Sequence, residues 1–153
     1  MEVKLIIEED FNDYKLPSMF IATSRCNMKC GEAYCQNNPL LKQPNKEVDN
    51  EEIVNEYLNN NLTHAVVLGG LDPCDSLADL FDFVTSFRKK SDDDIVIYTG
   101  YTKCEIPHVV KVLAQYPNII IKFGRYIPGQ HPHYDEVLGV DLASDNQYAE
   151  RIS

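Results

Sequence analysis

The 153-residue chain has no tryptophan and no apolar run that approaches the ~18 to 20 residues of a membrane helix. Its opening residues, Met1-Glu2-Val3-Lys4, lack the features of a signal peptide. Both absences point to a cytoplasmic protein with no membrane partner. Cations are scarce as well: 14 Lys plus Arg stand against 24 Asp plus Glu, a formal charge of −10. Phosphate-backbone binding needs clustered Lys and Arg, so nucleic acid is excluded as the main partner. Internal repeats and low-complexity segments are also missing. What is present is an ordinary globular composition, 44% hydrophobic and 25% charged, at a length that suits one domain. A chain of this size buries about 70% of its unfolded surface and needs no disulfide staples.

Five cysteines in a reducing compartment are not a disulfide framework, and the odd number agrees. Cys74 and Cys104 stand alone, and an isolated thiol is usually a small buried hydrophobe. Cys26, Cys30 and Cys35 instead share a polar segment with Arg25, Asn27, Lys29, Gly31, Glu32, Gln36 and Asn37. Three thiols in a polar, glycine-containing loop read as ligands.

Hydrophobic patterning predicts alternating strands and helices. Strands are expected at 3–7, 19–22, 65–68, 95–98 and 119–123. Asp49 and Glu52 form a capping-box pattern ahead of a helix with Ile53, Val54, Tyr57 and Leu58 on one stripe. A second helix, capped by Asp75 or Ser76, carries Leu77, Leu80, Phe81, Val84 and Phe87. A third opens at the Thr102–Glu105 pair and runs to Pro117, and the residues after Gly124 read mostly as loop. Consecutive strands joined by helices pair in parallel, so the loops after them gather on one rim. Those loops are the cysteine segment, 69–73, 99–101 and 124–129.

The donors alone leave two readings open. A structural zinc would take the three thiols and a fourth ligand from His64, His131, His133, Cys74 or Cys104, although no second cysteine pair is present. A [4Fe–4S] cluster held by three thiolates would keep one iron open to a small molecule.

The order Cys26-x₃-Cys30-x₄-Cys35, then Gly69-Gly70-Leu71-Asp72-Pro73, then Tyr98-Thr99-Gly100-Tyr101 resembles the radical S-adenosylmethionine superfamily. Within it, the chain is similar over residues 20–147 to the activating proteins of anaerobic (class III) ribonucleoside-triphosphate reductase, including the closing Ala143-Ser144-Asp145-Asn146-Gln147. The family's cysteine pattern is C-x₃-C-x₂-C; here two further residues follow Cys30, and Gly31 is the residue able to turn the longer loop. Cys74 is the substitute ligand if Cys35 is not used.

The resemblance implies an α/β fold, a partial TIM-like (βα) barrel of parallel strands, in one domain over residues 1–153. It implies a [4Fe–4S] cluster on Cys26, Cys30 and Cys35, and S-adenosyl-L-methionine held by Gly69, Gly70, Asp72, Thr99, Gly100, Asn146 and Gln147. Arg125 is a further candidate for the cofactor carboxylate, and Asp72 is equally placed to cap the helix after Pro73. The implied activity is reductive cleavage of S-adenosylmethionine and formation of a glycyl radical on the reductase, with electrons from a flavodoxin-like or ferredoxin-like donor. The alternatives are a small-molecule enzyme of the same superfamily, similar to a deazaguanine carboxylate synthase, and a zinc-stabilised binding module.

Overall fold

The computed structural model describes residues 1–153. Its first two strands, β1 (Glu2–Asp10) and β2 (Ser18–Thr23), are antiparallel, with Ile6 opposite Ile21 and Ile7 opposite Phe20. After β2 comes the cysteine loop, which contains the single turn α1 (Asn38–Leu41). The two-residue β3 (Lys46–Glu47) pairs with the start of β1, and α2 (Asn50–Asn59) follows. Asp49 caps α2 by accepting from the Glu51 and Glu52 amides, as its position before the apolar stripe predicts.

The chain then alternates through β4 (Ala65–Gly69), α3 (Leu77–Arg88), β5 (Asp94–Tyr98), α4 (Pro107–Leu113) and β6 (Ile119–Phe123). Strands β2, β4, β5 and β6 are parallel neighbours in that order. Their near-continuous apolar sequences follow from burial on both faces. Because the strand order never reverses, right-handed crossovers put α2, α3 and α4 on the same face. Ile53, Tyr57, Leu80, Phe83, Phe87 and Leu113 from these helices pack there on Met19, Ile21, Leu68, Ile97 and Ile121. Each such side chain contributes about 1.5–3 kcal/mol when fully buried.

The sheet as a whole has the order β3-β1-β2-β4-β5-β6-β9 and stays open, with antiparallel strands at both ends. The strand pattern predicted neither antiparallel edge. It also read the end of the chain as loop, whereas β7 (His133–Asp135) and β8 (Val140–Leu142) form a hairpin and β9 (Tyr148–Arg151) pairs with β6. Asp135 organises this region: its carboxylate accepts from the amides of Leu138 and Ala149, both at 2.9 Å. Leu138 and Leu142, with Tyr14, then cover Val67, Val96 and Ile120 on the face away from the helices.

Helix α4 starts later than the Thr102–Glu105 pair suggests. Glu105 does accept from the Thr102 amide at 2.8 Å, but that bond closes a separate turn. Ile106, which precedes Pro107, is held out of the helical region at φ −126°, and Pro107 takes the first helical position. No helix of the chain is long and apolar enough to cross a membrane.

Candidate functional site

The four parallel strands share a direction, so the loops leaving Thr23, Gly69, Tyr98 and Phe123 lie together at their carboxyl ends. They surround a cavity of about 370 Å³, within the range of small-molecule sites.

Cys26, Cys30 and Cys35 are free, half-buried and on the cavity wall. The two extra residues after Cys30 are accommodated by a 3₁₀ turn at Glu32–Tyr34, entered through Gly31 at φ 90°. Three residues of this loop, Arg25, Asn27 and Asn37, pin it to the one after β4. The Asp72 amide donates to the Arg25 carbonyl at 2.9 Å. The Asp75 carboxylate accepts from the Asn27 amide at 2.7 Å, and Asn37 Nδ2 donates to the Gly70 carbonyl at 2.7 Å. Tyr101 adds a fourth tie, since its hydroxyl donates to Asp75 at 2.7 Å while Lys29 Nζ and the Arg125 guanidinium lie 5.1 and 5.2 Å from its ring centre.

The structure brings most of the sequence candidates to this cavity. Gly70, Asp72, Thr99, Gly100 and Gln147 line it with the three thiols. Gly69 does not; it closes β4 against Phe20 and Tyr98. Gly70 has φ 74°, and a Cβ there would sit 2.9 Å from Ala22 Cβ and 3.0 Å from Leu40 Cδ1. Its glycine is therefore required by backbone and packing together.

Asp72 is buried and fully engaged. It accepts from the Cys74 amide at 3.0 Å, the Thr99 hydroxyl at 2.9 Å and the Gly100 amide at 2.9 Å. Burial pushes its carboxyl up, and these donors pull it back. The turn after Pro73 is thus capped by Asp72, while Ser76, at the head of α3, makes no side-chain cap. Asn146 lies off the cavity wall, its Nδ2 donating to the Arg125 carbonyl at 2.7 Å. Gln147 Nε2 donates to the Gly124 carbonyl at 3.2 Å, and its oxygen accepts from the Ser144 amide at 3.1 Å. Both side chains latch the loop after β6.

Two contributors were missed. Thr23 sends its hydroxyl to the Leu71 carbonyl at 3.0 Å, tying the end of β2 to the loop after β4. Lys122, on β6, is only 7% exposed and lines the cavity, its amine donating to the Gly124 carbonyl at 2.8 Å. Burial lowers this amine to about 8, against the pull of Asp72 and Cys30. The signal for Lys122 was a lone cation inside the otherwise apolar strand 119–123. Arg125, by contrast, is held by a two-bond pair to Glu105 at 3.0 and 3.1 Å.

The remaining thiols are placed elsewhere. Cys74 is packed in the helix-side core, where burial pushes it up to about 12, and Cys104 is exposed. Burial also raises Cys26 and Cys30, with Cys35 adding to the effect on Cys30. A metal deprotonates the thiol it binds, so the upward push on Cys26 and Cys30 is compatible with ligation. No three His, Cys, Asp or Glu side chains converge closely enough for a single ion. The three thiols share one cavity wall, and a cluster is the group in which each thiolate would take a different iron.

A family model described as 4Fe-4S single cluster domain matches residues 18–140, a span that includes the three thiols and the four strand-end loops. No curated protein matches the chain, and no solved structure matches it.

Proposed function

The chain belongs to the 4Fe-4S single cluster domain family, and from that premise we propose that it is a radical S-adenosylmethionine enzyme, the activating protein of an anaerobic (class III) ribonucleoside-triphosphate reductase. One observation carries the reading: three free thiols share a cavity wall with Gly70, Asp72, Thr99 and Gly100, beside space for a small molecule. Cys26, Cys30 and Cys35 would hold the [4Fe–4S] cluster. Bound there with S-adenosylmethionine, the cluster would supply one-electron reductive cleavage of the sulfonium, the electron coming from an external donor protein, and the resulting chemistry would take the α-hydrogen of a reductase glycine.

The chain's own work is to bind and orient. Lys122 has three N–H donors and gives one to Gly124, which leaves the others for the cofactor carboxylate. The Gly70 carbonyl accepts from Asn37 and retains a second lone pair for the cofactor ammonium. Asp72, Thr99 and Gly100 act as a linked wall, and Asn146 and Gln147 act by fixing the loop after β6. The sheet stays open instead of sealing into a closed barrel, which suits a polypeptide substrate. A flavodoxin-like or ferredoxin-like protein in a reducing cytoplasm is the matching electron source, and the five free cysteines are consistent with that compartment.

Anaerobic reconstitution followed by iron and sulfide analysis tests the ligand set. Cys26→Ala, Cys30→Ala and Cys35→Ala are each expected to lose the cluster and S-adenosylmethionine cleavage, while Cys104→Ala keeps both. Full cleavage by Cys35→Ala would overturn the three-thiol assignment.

A further inference from the structure

Strand β1 is paired with β2 along its inner side, but on its outer side only Glu2 and Val3 have a strand partner. The chain covers that edge as far as Lys4, whose buried amine donates to the Gln43 carbonyl at 2.6 Å. From residue 5 to residue 10 the outer edge carries no neighbouring strand. A row of unpaired backbone groups of this length is a template for another strand.

The side chains along it are ordered. Ile7 lies opposite Phe20, so the two share a face of the sheet, and Phe20 lines the cavity. Ile7 is 43% exposed and Phe11, just beyond the strand, 63%. Past Ile7 the pairing with β2 shifts register, and Glu8 and Glu9 both lie on the helix side: the Glu8 carboxyl meets that of Glu56 on α2, and Glu9 accepts from Asn60 Nδ2, just after α2, at 3.2 Å. Glu8 and Glu9 are exposed and neither has a cationic partner. The edge therefore shows an apolar side toward the cavity and an anionic side toward the helices. A second copy of this chain, with its charge of −10, would be repelled from it.

We propose that the outer edge of β1, residues 5–10, docks an extended segment of a partner protein in which apolar residues alternate with Lys or Arg. The segment adds one strand to the sheet through backbone bonds, sets its apolar side chains beside Ile7, and meets Glu8 and Glu9 with its cations. This inference goes beyond the activase reading and its test uses no S-adenosylmethionine.

The probe is a short fluorescent peptide of alternating valine and lysine, added to the full chain under anaerobic conditions. Anisotropy reads the affinity and hydrogen exchange reads the location. The expected result is saturable binding with slowed amide exchange confined to residues 5–10. N-methylation of alternate peptide amides should abolish it, because the bonds are to backbone. The double variant Glu8→Lys/Glu9→Lys should weaken it by at least about tenfold, as loss of complementary charge predicts. Equal binding of the N-methylated peptide, slowed exchange elsewhere on the surface, or no binding at all would each overturn the proposal. The exchange map on the unaltered chain keeps the test independent of how the variant folds.

Discussion

The Thr99 hydroxyl donates to the Asp72 carboxylate at 2.9 Å, so the end of β5 closes the turn that leaves β4. The Gly100 amide reaches the same carboxylate at 2.9 Å, and Asp72 passes the restraint on through its own amide to the Arg25 carbonyl, beside Cys26. Two strand ends and the cysteine loop are thereby held by one buried acid.

Replacing that acid is the first prediction. Asp72→Ala leaves the Thr99 hydroxyl and the Gly100 and Cys74 amides without an acceptor, a cost of about 3 kcal/mol. Asp72→Asn keeps an acceptor oxygen and should cost less than half as much. Urea unfolding of both variants measures the difference; a neutral Asp72→Ala would mean that the carboxylate is not a clamp.

Gly70→Val is the second. The left-handed φ and the contacts with Ala22 and Leu40 predict a loss of about 2–4 kcal/mol. In chains that still take up iron, affinity for S-adenosylmethionine should fall at least about tenfold. Wild-type affinity in a folded, iron-loaded variant would remove this loop from the binding site.

Lys122 yields a pH dependence. Its amine titrates at about 8 when folded and at 10.5 as a free side chain. Below pH 8 it is charged in both states and its burial cost is present in full. Between the two values the unfolded chain binds the extra proton, so stability rises with pH, by about 3 kcal/mol in total. Denaturation of the cluster-free chain across this window should show that rise, and Lys122→Met should lack it. An identical slope in the variant would contradict the assignment.

The two cations near the cavity are separable by ligand binding. Lys122→Met should weaken S-adenosylmethionine binding at least about tenfold, whereas Arg125→Met, already paired with Glu105, should change it by less than about threefold. The reverse ranking in calorimetric titration would return the carboxylate to Arg125.

The sequence was most readable where burial dictates pattern. Strand 119–123 was located at its bounds, and the strands at 65–68 and 95–98 to within one residue, because a parallel strand covered on both faces is an unbroken apolar run. The rim followed from strand direction, which is why Cys26, Gly70, Thr99 and Gly100 could be grouped before any geometry was known. Residues 133–151 were unreadable for the opposite reason. Their strands are three or four residues long and are held by the Asp135 carboxylate and by pairing with β6, neither of which leaves a periodic trace. Side-chain roles were the least accessible. Asp72 and Gln147 were named as site residues, but what their oxygens accept from is decided by partners 2 to 28 positions away.

The most direct test of the activase reading is electron paramagnetic resonance of the anaerobic reductase after incubation with this protein, S-adenosylmethionine and a reductant. The account predicts a persistent glycyl doublet on the reductase that collapses to a singlet when its glycine is α-deuterated. Formation of 5′-deoxyadenosine with no such signal, and with the abstracted hydrogen traced to a small molecule, would contradict it.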